Sequence, residues 1–172
     1  MRILGIDPGT AKLGWGIIEF ALKRKKINDG NGVNLIAYGC IETKAGEIVG
    51  KRLLLIRNQL TLIIKKYKPD QVAVEQLFFG VNSRTAMSVG QARGVIILTA
   101  EEQERQLFEY QGLSVKKTLT GFGHTDKKKM QEAVGKYLLM SVLPKPDDAA
   151  DALAIAICHC MKIREIKSAK KK

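Results

Sequence analysis

The hydrophobic pattern of this chain changes period once, between residues 43 and 48, and that change constrains the fold more than any other feature. Before it, three apolar stretches at strand spacing, Arg2–Asp7, 13–22 and 34–43, are separated by the turn Asp7-Pro8-Gly9-Thr10 and by a charged hairpin, Lys23-Arg24-Lys25-Lys26 and Asn28-Asp29-Gly30-Asn31-Gly32. Connections of this kind make consecutive strands antiparallel. After it, Ile48, Leu55, Ile56, Leu60, Ile63, Ile64 and Tyr67 recur at helical spacing until Pro69. A fourth strand, 71–76, follows at once. Further helices are expected from Asn82 or Ser83 to about 106, from Thr125-Asp126 to near Met140, and from Pro146-Asp147-Asp148 to about Ile163, with a fifth strand at 107–110.

Three strands followed by alternating helix and strand give an α/β layer: a mixed five-stranded sheet with helices on both faces. A helical crossover out of the meander lets the fourth strand lie parallel to the first. The 172 residues suffice for one domain. Residues 1–161 are expected to form it, and 162–172, with six basic residues and one Glu, to form a frayed, disordered basic tail.

Two acids stand where apolar strands should end cleanly. Asp7 closes Ile3-Leu4-Gly5-Ile6, and Glu75 closes Val72-Ala73-Val74. If their strands are parallel neighbours, both lie at the carboxyl edge of the sheet, where α/β folds place their sites. Asp148 and Asp151, three apart, share one face at the start of a helix. Alone, Asp7 reads equally well as a brace for the Pro-Gly turn, and Asp147 or Asp148 as an ordinary helix cap. Glu75 is harder to place, because a Glu in a buried strand needs a partner. Together, four carboxylates raise one another's pKa unless a cation neutralises them. Two Mg²⁺ ions would balance four such charges with the oxygen ligands a hard cation takes. A pair of metals of this kind activates a water and stabilises the leaving oxygen of a phosphodiester.

The charge balance agrees with a polyanionic substrate: Lys plus Arg is 29 and Asp plus Glu 17, a formal net charge of +12. A basic surface kept only for solubility is the plainer reading of charge alone. No apolar run reaches the roughly 18 residues of a membrane helix, and Asp7 comes too early for a signal peptide. Three cysteines without an export signal fit a reducing cytoplasm. Within a helix Cys158-His159-Cys160 point in different directions, so packing is expected of them rather than zinc binding.

Four blocks then become recognisable in order: Ile6-Asp7-Pro8-Gly9-Thr10, Val74-Glu75-Gln76-Leu77-Phe78, Gly90-Gln91-Ala92-Arg93-Gly94 and Asp148-Ala149-Ala150-Asp151-Ala152-Leu153-Ala154. Together they resemble the RuvC family of bacterial Holliday-junction resolvases, from residue 3 to about residue 160. The resemblance implies a ribonuclease H-like fold, a homodimer, and Mg²⁺-dependent paired symmetric nicking of four-way DNA junctions in recombination and repair. It also implies a partnership with the RuvA and RuvB branch-migration proteins. Carried over by position, the catalytic and metal-binding acids are Asp7, Glu75, Asp148 and Asp151, with two Mg²⁺ expected and Mn²⁺ as a substitute. The pattern Asp-x-x-Asp-Ala-x-Ala selects Asp148 and leaves Asp147 as a cap.

The aromatic wedge of the family falls on Phe78, ahead of the polar loop Asn82-Ser83-Arg84, where Arg84 is a further DNA contact. Val115-Lys116-Lys117-Thr118 and Gly121-Phe122-Gly123-His124-Thr125-Asp126-Lys127 resemble the family's second basic region and place DNA-binding lysines at Lys116 and Lys127. Core packing for Phe78 and a solvated lysine run at Lys128 and Lys129 are the plainer readings. Three competitors share parts of the pattern: an actin-like ATPase or sugar kinase, which needs two lobes; a ribonuclease H relative acting on RNA; and a non-catalytic DNA-binding module, in which four acids would repel the phosphates.

Overall fold

A computed structural model of the chain describes residues 1–21, 32–76 and 83–169. Its elements are β1 (Arg2–Asp7), β2 (Lys12–Phe20), β3 (Val33–Glu42), α1 (Val49–Tyr67), β4 (Gln71–Glu75), α2 (Ser83–Glu102), β5 (Gln106–Tyr110), α3 (Gly112–Thr120), α4 (Lys127–Tyr137) and α5 (Asp147–Ala169). The sheet runs β3-β2-β1-β4-β5. β1 pairs antiparallel with β2 and parallel with β4, and β5 is parallel to β4. The mixed five-stranded sheet expected from the period change is therefore present, with β1 at its centre.

Alternation along the strands divides the core. Leu4, Ile6, Val72 and Val74 face α1 and α2, where Ile56, Leu60, Ile64, Ala92 and Ile96 are buried. Ile3 and Ala73 face the opposite way, onto α5 with Val115 of α3 and Met130 and Val134 of α4. Helices thus cover both faces. On α2, Arg93 pairs with Glu109 of β5, tying that helix to the sheet edge.

Glycines set how closely α5 approaches. A Cβ at Gly5 would strike the carbonyl of Ala152 and come within 2.9 Å of the Ala156 methyl; one at Gly14 would strike the carbonyl of Asp148. Gly5 pairs with Gly16, and Asp7 with Gly14, so these glycines form a trough across β1 and β2. The facing side of α5 is Ala149, Ala152 and Ala156, all fully buried. Small residues on both partners let the helix lie directly on the strands.

Several boundaries differ from those read in the sequence. β2 ends at Phe20 rather than at 22, and α2 stops at Glu102 rather than near 106, with Glu104 at φ 54°. The helix α3 was not anticipated: it has nine residues, opens on Gly112 and buries only Val115. The expected frayed tail is helical to Ala169, six residues past Ile163. There Arg164 donates to the Gly32 carbonyl at 3.2 Å and lies over the Phe20 ring, while Lys162 pairs with Glu165 at 2.9 Å. The Lys, Glu and Ala of this stretch are also good helix formers. Residues 170–172 lie outside the described residues.

Candidate active site

Asp7 and Glu75 end their strands on the same face. Register pairs Gly5 with Ala73 and Ile6 with Val74, so the next rung sets Asp7 beside Glu75. Side chains alternate, and since Ile3 and Ala73 face α5, so do both acids. Asp148 and Asp151 sit in the first two turns of α5, which the glycine trough seats on β1 and β2.

The electrostatics show how closely these groups share one space. Burial first, then the charges of Glu75, Asp151 and Asp148, push the Asp7 carboxyl up to about 8. Burial and the charge of Asp151 raise Glu75, and burial together with Asp148 and Asp147 raises Asp151. Asp7 is thus coupled to all three other acids. Lys127 acts against this on Asp7 and Asp151, and Lys116 on Glu75 and Asp151. Lys116 projects from α3, and Lys127 is the first residue of α4. A pocket of about 120 Å³ opens between Glu75, Asp151, Lys116, Thr125 and Lys127.

Two further residues shape this corner. A Cβ at Gly112 would run into the Glu75 carboxylate, so any larger residue at the start of α3 would push that carboxylate aside. Asp147 does not cap α5 as the sequence reading held; it is the helix's first residue and turns to α4, accepting from Gln131 Nε2 at 2.5 Å and lying 3.8 Å from Lys127 Nζ. Phe78 falls outside the described residues, and Arg84 lies in the first turn of α2.

The structure also assigns partners to residues that the sequence left as packing. Cys158, His159 and Cys160 are buried. His159 Nε2 lies 2.9 Å from Gln71 Oε1, and its Nδ1 lies 2.6 Å from the Tyr110 hydroxyl. Gln71 donates its amide to Gln106 Oε1 at 3.2 Å, leaving its carbonyl oxygen for the ring. His159 therefore donates through Nε2 and accepts the Tyr110 proton at Nδ1. Burial pushes its pKa down to about 4. This chain joins α5 to β4 and β5 beneath the acids. Its signal in sequence was a His on an apolar helix face, which names no partner.

Among the described residues, no group of three or more His, Cys, Asp or Glu side chains is already gathered as an ion cage. The donor set is all carboxylate oxygens, and burial disfavours the charged forms of Asp7, Glu75 and Asp151, which suits a hard divalent cation.

The family model for crossover junction endodeoxyribonuclease RuvC matches residues 3–159. The chain belongs to the RuvC family. A RuvC from Chloroflexus aurantiacus is 50% identical over 159 residues, covering 92% of each chain. One from Caldicellulosiruptor saccharolyticus is 47% identical over 161 residues, covering 94% of this chain and 93% of that one. Among solved structures, Thermus thermophilus RuvC superposes with a TM-score of 0.84 at 30% identity, with 96% of both chains covered. The same RuvC in complex with a Holliday junction substrate gives 0.84 at 31% identity, again over 96% of both chains. The ribonuclease H-like fold and nuclease class implied by the four sequence blocks therefore hold for this RuvC family member. No helix among its described residues is long and apolar enough to cross a membrane.

Proposed function

We propose that this RuvC family member resolves four-way DNA junctions by Mg²⁺-dependent hydrolysis, making paired symmetric nicks from an active site built on Asp7, Glu75, Asp148 and Asp151. The observation that carries this reading is the parallel register of β1 and β4, which sets Asp7 beside Glu75, together with the close seating of the first turns of α5, which carry Asp148 and Asp151, on the same strands. The fold brings these acids from β1, β4 and α5 to one corner of the sheet. Two Mg²⁺ ions, or Mn²⁺ in their place, would supply an activated water and stabilise charge on the leaving 3′ oxygen.

The chain's own residues do the rest. Asp7, Glu75, Asp148 and Asp151 would hold the cations. Lys116 and Lys127 draw the scissile strand in by its phosphates and offset the charge of the acids from the protein side. The glycine trough seats α5 on β1 and β2, and with it places the helix positions of Asp148 and Asp151 near the strand ends that carry Asp7 and Glu75. Phe78 opens the junction centre, and Arg84 contacts the strand beside it. The nuclease unit takes in all of α5 to Ala169 and acts as a homodimer, which supplies two sites for two symmetric nicks. Family membership supports work beside RuvA and RuvB in the cytoplasm.

The test is Asp7→Asn. Losing about 4 kcal/mol of transition-state stabilisation lowers the rate roughly a thousandfold. Junction binding should be unchanged or tighter, because Asn keeps the size of Asp7 and puts no acid in a phosphate-binding cleft. Cleavage by the variant near the wild-type rate would overturn the assignment.

A further inference from the structure

Phe122 is 74% exposed, an unusual setting for a phenylalanine, and the loop around it is built to keep it there. Gly121 ends α3 at φ 82°, a left-handed conformation that turns the chain outward. The Phe122 N–H donates to the Thr120 hydroxyl at 3.3 Å, and its carbonyl accepts from the Thr125 hydroxyl at 3.0 Å. Thr120 is in turn anchored to the Lys116 carbonyl at 2.8 Å. Both backbone groups of Phe122 are therefore tied to residues beside the acid corner, while its ring faces solvent.

The ring borders a groove of about 460 Å³ that it shares with His124, Lys129, Lys136 and one acid, Glu132. Thr125 lines both this groove and the pocket at Glu75 and Asp151, so the two lie on either side of one residue. A fixed aromatic face flanked by lysines next to the acid pocket has the chemistry of a single-strand platform: bases stack on the ring and phosphates follow the cations. A core role is excluded by the exposure, and a general phosphate contact would not need the ring.

We propose that Phe122 is a stacking platform for a nucleobase of the DNA strand that passes the four acids, with Lys129 and Lys136 taking the neighbouring phosphates. This rests on the nuclease reading above. Stacking on one aromatic ring is worth roughly 5- to 150-fold in affinity.

The experiment measures binding of a fluorescent synthetic four-way junction to the full chain in chelator, for wild type, Phe122→Leu, Phe122→Tyr and Lys129→Ala. Melting curves confirm that each variant folds. Phe122→Leu should bind about tenfold more weakly with an unchanged salt slope, and Phe122→Tyr should match wild type. Lys129→Ala should make the salt slope shallower by about one. 5-Iodouridine placed near the cut should photocrosslink to Phe122 in wild type and lose that crosslink in Phe122→Leu. Binding by Phe122→Leu within twofold of wild type, with the crosslink pattern unchanged, would overturn the proposal while leaving the nuclease reading intact. A wild-type protein that does not prefer the junction to linear duplex would overturn both.

Discussion

Gly14→Ala tests whether the seating of α5 on the sheet sets the acid corner. A Cβ at residue 14 would strike the Asp148 carbonyl and lie 3.0 Å from the Ala149 nitrogen. Those atoms are backbone, so no rotamer change relieves the clash. Non-bonded heavy atoms settle at about 3.5 Å or more, so the first turn of α5 must lift by on the order of 1 Å. Overpacking of this kind costs about 1–3 kcal/mol, and at about 3 °C per kcal/mol the melting temperature should fall by roughly 3–9 °C. The rate should fall more than the stability implies, because a misplacement of about 1 Å in a reacting constellation costs about 100-fold. Single-turnover cleavage of a labelled four-way junction in saturating Mg²⁺, beside thermal melting, reads both. Gly16→Ala is the comparison: its Cβ would meet the Leu153 side chain at 2.5 and 2.7 Å and the Leu153 backbone nitrogen at 3.2 Å, a milder backbone approach than that at Asp148. It should lose stability with less than about a tenfold drop in rate. The reasoning fails if Gly14→Ala cleaves within twofold of wild type, or if Gly16→Ala loses as much activity as Gly14→Ala.

Other consequences are as direct. Gly112→Ala replaces a helical glycine, which by itself stabilises by about 1 kcal/mol, yet its methyl displaces the Glu75 carboxylate; melting should hold or rise while cleavage falls, and loss of both would contradict this. His159 is neutral in the fold with a pKa near 4 but takes up a proton near 6.5 when unfolded. The unfolded chain therefore binds more protons between those values, and stability should fall by roughly 3 kcal/mol as pH drops from about 6.5 to about 4. His159→Asn should flatten that limb in a pH series of denaturant melts. Junction affinity should fall on the order of 1000-fold between 50 and 200 mM salt if about six phosphates are contacted; a flat profile would place the basic surface elsewhere.

The sequence made the sheet legible because period and connection length constrain strands strongly. Arg2–Asp7 and Gln71–Glu75 each end an apolar run on an acid, and the crossover between them makes the strands parallel, so Asp7 and Glu75 meet at one edge. Helical spacing put Asp151 on one face with either Asp147 or Asp148, and the resemblance to the RuvC family chose Asp148. Gly5, Gly14 and Gly16 were silent, since a glycine in a strand says only that something comes close, and here that something is α5, more than 130 residues away. α3 was too short for its two apolar contacts, Val115 and Leu119, to declare a period. The reach of α5 to Ala169 depends on Arg164 meeting Gly32 and Phe20, contacts between distant parts of the chain.

The most direct test of the metal-bound acid corner is cleavage of a labelled synthetic four-way junction with Mg²⁺ and with chelator, beside linear duplex and RNA–DNA hybrid. Paired symmetric nicks confined to the junction, and lost both with chelator and in Asp7→Asn, are the predicted result. Cutting of the hybrid in preference to the junction, or cleavage that survives chelator, would contradict it.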